Sequence, residues 1–87
     1  MKILFGHYEL CKCLDKLGFV PEKQHGTSHV KFSTPKGHTV PKGSRPFIIV
    51  IYNKKQYHPH TCSSYLRQIV QLGFDRDIVI TYLQDQY

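Results

Sequence analysis

Residues 47–52 read FIIVIY, six apolar side chains in a row with no polar alternate. The run is rich in β-branched types, so it is predicted to be a strand. Being apolar on both parities, it belongs at the centre of a sheet or needs its outer face covered. Little chain is left to do this. Folding at this length removes only about 60–65% of the unfolded surface from water, so the core is thin and residues 1–87 fit one small domain.

The segments on either side say what packs against that strand. Leu10, Leu14 and Leu17 recur at i, i+4 and i+7 with Cys11 beside them, which predicts a helix over residues 7–17 started at Gly6. Gly18 ends it as a left-handed residue, and Phe19 folds back on it. A second helix is predicted over residues 62–72, with Thr61 as N-cap and Cys62, Leu66, Ile69 and Val70 on one face. It closes on the same Leu-Gly-Phe ending, Leu72 to Phe74, a shared capping device rather than a duplication. The tail from Asp75 is read as a third short helix capped by that aspartate, although Ile78-Val79-Ile80-Thr81 also suits a strand.

Between the first helix and the apolar strand lies a hairpin. Residues 19–24 form its first strand, with Pro21 pointing to an edge. His25-Gly26-Thr27 supplies the turn, where Gly26 can take positive φ. In the second strand, residues 28–33, Val30 and Phe32 share the core side, while His29, Lys31 and Ser33 share the outer side. Residues 34–46, with three prolines and two glycines, are a loop that is long for a hairpin connection. Short connections make the sheet antiparallel, with both long helices on one face and the other face open. The expected class is α+β, in the order α-β-β-β-α with a possible short C-terminal helix.

Charge is partitioned along the chain. All six carboxylates lie at Glu9, Asp15, Glu22, Asp75, Asp77 and Asp85, and residues 23–74 contain none. That stretch holds Lys23, Lys31, Lys36, Lys42, Arg45, Lys54, Lys55 and Arg67, within a net charge of +6. Such a separation marks a surface for a polyanion, or for an acidic protein. Three cysteines without a framework of spacings argue against a disulfide scaffold. Ile3 to Phe5 is too short for a signal peptide, and no run could span a bilayer, so a cytoplasmic, soluble protein is expected.

The element order resembles the double-stranded-RNA-binding-domain-like fold, a sandwich of helices on a three-stranded sheet. Leu17-Gly18-Phe19 before a strand, Gly26-Thr27-Ser28-His29 at the hairpin and Leu66-Arg67-Gln68-Ile69 on the last long helix resemble the HicA family of toxins, over roughly residues 7–73. The resemblance implies an mRNA interferase that cleaves RNA without a metal or other cofactor. It also implies His29 as the catalytic residue and a HicB-like antitoxin partner that covers the active face. The loop 34–46 is longer than the compact family pattern.

The chemistry is consistent with these residues. RNA carries its own nucleophile, so cleavage needs a base for the 2′-OH, an acid for the leaving 5′-oxygen and positive charge near phosphorus. Imidazole titrates near neutrality and can serve as the acid–base group. Lys31, on the same outward parity as His29, is expected to hold the scissile phosphate. Lys36, Lys42, Arg45, Lys54 and Lys55 are the further candidate phosphate contacts. Gly26 and Ser28 are expected to support the turn behind His29, with Ser28 on the opposite parity and so no nucleophile. Tyr52 and Tyr57 are candidates for stacking on bases, or for core or antitoxin contacts. His58-Pro59-His60-Thr61-Cys62 has the look of a metal site but lacks a nearby fourth ligand, and His60 could instead contact a phosphate or lead into the helix. Cys11 and Cys13, two apart on a helix, face different ways and are read as one core thiol and one surface thiol. The alternative reading is a module of the same fold that binds RNA and cuts nothing.

Overall fold

The computed structural model describes residues 3–22, 29–52 and 55–84. In chain order these form α1 (His7–Lys16), β1 (Val20–Glu22), β2 (His29–Ser33), β3 (Phe47–Ile51), α2 (Pro59–Gln71) and α3 (Arg76–Gln84). Gly6 is the N-cap of α1, and the Glu9 carboxylate reaches back to accept from its N–H at 2.7 Å. The buried face of α1 is Leu10, Cys13 and Leu14, so the core thiol is Cys13; Cys11 is half-buried. Burial pushes the Cys13 thiol up to about 12, which leaves it a neutral core side chain.

Both Leu-Gly-Phe segments act as helix stops. Gly18 takes φ +93° and Gly73 φ +103°, left-handed values that glycine adopts without strain. After α1 the Phe19 N–H returns to the Leu14 carbonyl and the Gly18 N–H to Asp15, a complete Schellman motif. The two corners meet in space, with the Phe19 and Phe74 rings 5.2 Å apart. The tail is helical: the Asp75 carboxylate accepts from the Asp77 and Ile78 N–H groups, and this local cap outweighs the strand tendency of Ile-Val-Ile-Thr. α3 packs on α1 and α2, bringing Val79 and Leu83 into the core.

The sheet is antiparallel in the order β1-β2-β3, so the most apolar strand is an edge and β2 is central. Ile48 and Val50 of β3 enter the core beneath the helices, while Phe47, Ile49 and Ile51 are half-buried on the other side. The expected central place for FIIVIY is therefore not the one it takes: it is an edge strand with its outer face half-open, and part of its backbone edge is met by a residue absent from the expected face of α2. Tyr65 is buried, and its hydroxyl accepts from the Ile51 N–H at 3.1 Å and donates to the Ile49 carbonyl at 2.9 Å. One phenol thus satisfies two of the backbone groups that an open edge of β3 would leave unpaired. Tyr57 is also buried and donates to the Ile51 carbonyl. Burial raises both phenols above their ordinary range, so both remain hydroxyl donors.

Tyr65→Phe keeps the ring and removes both edge bonds. A loss of about 1–3 kcal/mol is expected from the unsatisfied groups. Urea unfolding, read with amide exchange at Ile51, measures it; an unchanged midpoint would show that the edge is satisfied otherwise.

Helix α2 begins three residues before the expected start. Its N-cap is His58, whose Nδ1 accepts from the His60 N–H at 3.2 Å, with Pro59 in the first turn, where a missing N–H costs nothing. Thr61 lies inside the helix. The buried residues of α2 are Cys62, Tyr65 and Ile69, while Leu66 and Val70 are half-buried at the margin.

Candidate functional site

Strand parity decides what β2 shows to solvent. Val30 packs against the core and Phe32 is buried within it, so His29, Lys31 and Ser33 lie on the open face. His29, the first residue of β2, is exposed and stands opposite Ile51. Directly opposed residues hold their Cβ atoms about 4.5–5.5 Å apart. Lys31 stands between Glu22 on β1 and Ile49 on β3.

Lys31 is not an unopposed cation. Its Nζ lies 3.9 Å from the Glu22 carboxylate and 4.4 Å from the centre of the Phe47 ring, and the Ser33 hydroxyl donates to the same carboxylate. Glu22 borders the acid-free stretch in sequence, and antiparallel pairing carries it onto the basic face. With side chains 36% and 53% exposed, the Lys31–Glu22 pair is a weak one that a stronger anion can displace.

The loop 34–46 is built from two Pro-Lys-Gly turns. His38 N–H returns to the Pro35 carbonyl and Ser44 N–H to the Pro41 carbonyl, both at 3.0 Å, with Gly37 and Gly43 at positive φ. Lys36 and Lys42 occupy the same place in each turn and are exposed, as is Arg45 after the second. Thr34 N–H to the Pro46 carbonyl closes the base of the loop. The loop is seated on both Leu-Gly-Phe corners. Pro35 lies 3.2 Å from the position of a Cβ on Gly18. His38 stacks on Phe74 at 4.5 Å, and its Nε2 bonds the Leu72 carbonyl at 2.6 Å, which requires the proton on Nε2. His38 thereby satisfies a carbonyl at the end of α2. His38→Ala is expected to free this anchor at a cost of about 1–2 kcal/mol. Faster amide exchange at His38 and Ser44 would register it, and unchanged protection there would contradict it.

The remaining candidates are dispersed. Lys55 is exposed; Gly26, Ser28 and Lys54 lie outside the described residues, as does the turn at residues 25–27. Tyr57 is a core residue, edge-on to Phe5, and this burial removes it as a base-stacking platform. Tyr52 is stacked on His7 at 5.3 Å, and its hydroxyl shares a hydrogen bond with the Cys11 thiol at 3.6 Å. Chiefly through that hydrogen bond, with burial second, its phenol is pushed up to about 12. In the His58–Cys62 segment the two imidazoles stack on one another, and Cys62 is buried with its thiol toward the carbonyls of Phe5 and Tyr57. Among the described residues no group of three or more His, Cys, Asp or Glu side chains is arranged to hold a metal ion. No helix among them is long and apolar enough to cross a membrane.

Sequence reasoning missed an uncharged polar stripe on α2. Thr61, Ser64, Gln68 and Gln71, at i, i+3, i+7 and i+10, share one face beside the outward residues of β3. Their spacing was the available signal.

No curated protein and no solved structure matches the chain. A family model described as HicA toxin of bacterial toxin-antitoxin matches residues 8–70, from α1 through the greater part of α2. The match takes in β2 with its outward histidine and the whole sheet, leaving α3 beyond it. The chain therefore belongs to the HicA family, the toxins of bacterial toxin–antitoxin pairs, and an antitoxin is its implied partner.

Proposed function

We propose that this toxin is a metal-independent endoribonuclease acting on mRNA, with His29 as its general acid–base group. The observation that carries the reading is the exposure of His29 at the head of β2, on the open face of the sheet, within a stretch, residues 23–74, that holds no carboxylate. In the reaction the imidazole takes the proton of a ribose 2′-OH. The 2′-oxygen then bonds to phosphorus as the phosphorus–O5′ bond breaks, the departing 5′-oxygen takes a proton from water, and the imidazolium returns its own to solvent. Lys31, once a phosphate displaces Glu22, supplies positive charge beside the reacting group. Lys36, Lys42, Arg45 and Lys55, with Lys54, hold the flanking phosphates as point charges.

An acidic, HicB-like antitoxin laid over this face would neutralise the same cations and hide His29. The test is to incubate the purified chain with single-stranded RNA in excess EDTA. Cleavage under these conditions supports the reading; intact RNA together with salt-sensitive binding favours a module that only holds RNA.

A further inference from the structure

Beside the open face, a groove runs between β3 and α2. Its two contiguous parts, of about 300 and 420 Å³, share Arg45, Phe47 and Gln68. One wall is apolar, made of Phe47, Ile49 and Ile51. The other is the stripe of Thr61, Ser64, Gln68 and Gln71. Arg45 stands at the junction of the two parts, with Gly43 and Ser44 of the loop beyond it. At the far end Ile51 is paired across the strands with His29.

This composition is unlike the other solvated helix faces. The exposed residues of α1 include Lys12, Asp15 and Lys16, and those of α3 include Arg76 and Asp77. Helix α2 carries one charge, Arg67, in an adjoining depression with Ile3 and Leu66 that meets the groove at Gln71. Along the groove it offers only hydroxyls and amides. Gln68 is exposed, and its Nε2 donates to Ser64 Oγ at 3.2 Å, which orients the amide and leaves its oxygen and second hydrogen available. A flat apolar wall facing uncharged donors and acceptors matches the faces and edge of an unstacked nucleobase. An extended peptide pairing along β3 would find the Ile51 N–H and the Ile49 carbonyl already bonded to Tyr65.

We propose that this groove is a base-recognition subsite for the single-stranded RNA nucleotide next to the scissile phosphate. Gln68 reads the base edge and Arg45 holds the following phosphate. The proposal rests on the nuclease reading for its position beside His29, but its binding content stands separately. It makes Gln68 a determinant of cleavage preference rather than of cleavage chemistry. A paired amide contact discriminates between bases by about five- to a hundred-fold.

Two measurements test it. The first maps cleavage positions on a randomised RNA for the native chain and for Gln68→Ala. One base should be enriched beside the cut at least about five-fold in the native chain, and Gln68→Ala should flatten that enrichment. An identical base distribution would overturn the subsite. The second titrates full-length His29→Ala with short single-stranded homopolymers and follows backbone amide shifts. Ser64, Tyr65 and Gln68 should shift with one homopolymer more than with the others. Shifts confined to the loop and β2 would overturn the proposal. Because the titration needs no cleavage, an inactive native chain would count against the nuclease reading while leaving the groove decided by this measurement.

Discussion

His29→Ala lowers RNA cleavage by about 10²- to 10⁴-fold, the usual contribution of one positioned acid–base group. The fold should survive the change. His29 is exposed at the first position of β2, and the strand is held by Phe32 in the core and by its pairing to both neighbours. RNA binding should largely persist, since the cations at Lys36, Lys42 and Arg45 are untouched. The variant thus separates chemistry from affinity: single-turnover rates fall, while the dissociation constant and melting temperature stay close to native. Equal cleavage rates would take His29 out of the mechanism. A joint loss of rate and binding would instead make it a contact residue.

Ile69→Ala removes about 2–5 kcal/mol of stability, the range for emptying a fully buried aliphatic site. Ile69 is 0% exposed, on the buried face of α2 in its last turn. A chain of 87 residues has about 4–13 kcal/mol to lose. The truncation is therefore a large fraction of the whole, and α2 carries both Tyr65 on the β3 edge and the polar wall of the groove. A fall in urea midpoint at constant slope is the expected signature. A loss under about 1 kcal/mol would mean that the site collapses around the smaller side chain.

What could be read from the sequence was local. Gly18 and Gly73 announced their helix ends because a left-handed stop needs only a few adjacent residues. The alternation of Val30 and Phe32 against His29 and Lys31 fixed the outward face, Pro21 marked an edge strand, and Asp75 marked a cap. What could not be read depends on contacts between distant residues. Strand order is decided by pairing, so FIIVIY could not announce that it lies at an edge. The residue that meets its edge, Tyr65, sits 14 residues beyond Ile51 and looks in sequence like one more aromatic on a helix. The Glu22 counter-charge on Lys31 and the His38 anchor on Leu72 arise in the same way, from chain segments brought together only by folding.

The chemistry of the cut ends tests the central claim most directly. Purified protein is incubated with single-stranded RNA in EDTA, and the fragments are weighed by mass spectrometry. If an imidazole on the open face activates the substrate's own 2′-hydroxyl, the upstream fragment ends in a 2′,3′-cyclic phosphate and the downstream fragment begins with a 5′-hydroxyl. Fragments carrying a 3′-hydroxyl and a 5′-phosphate would show water as the nucleophile and contradict the account.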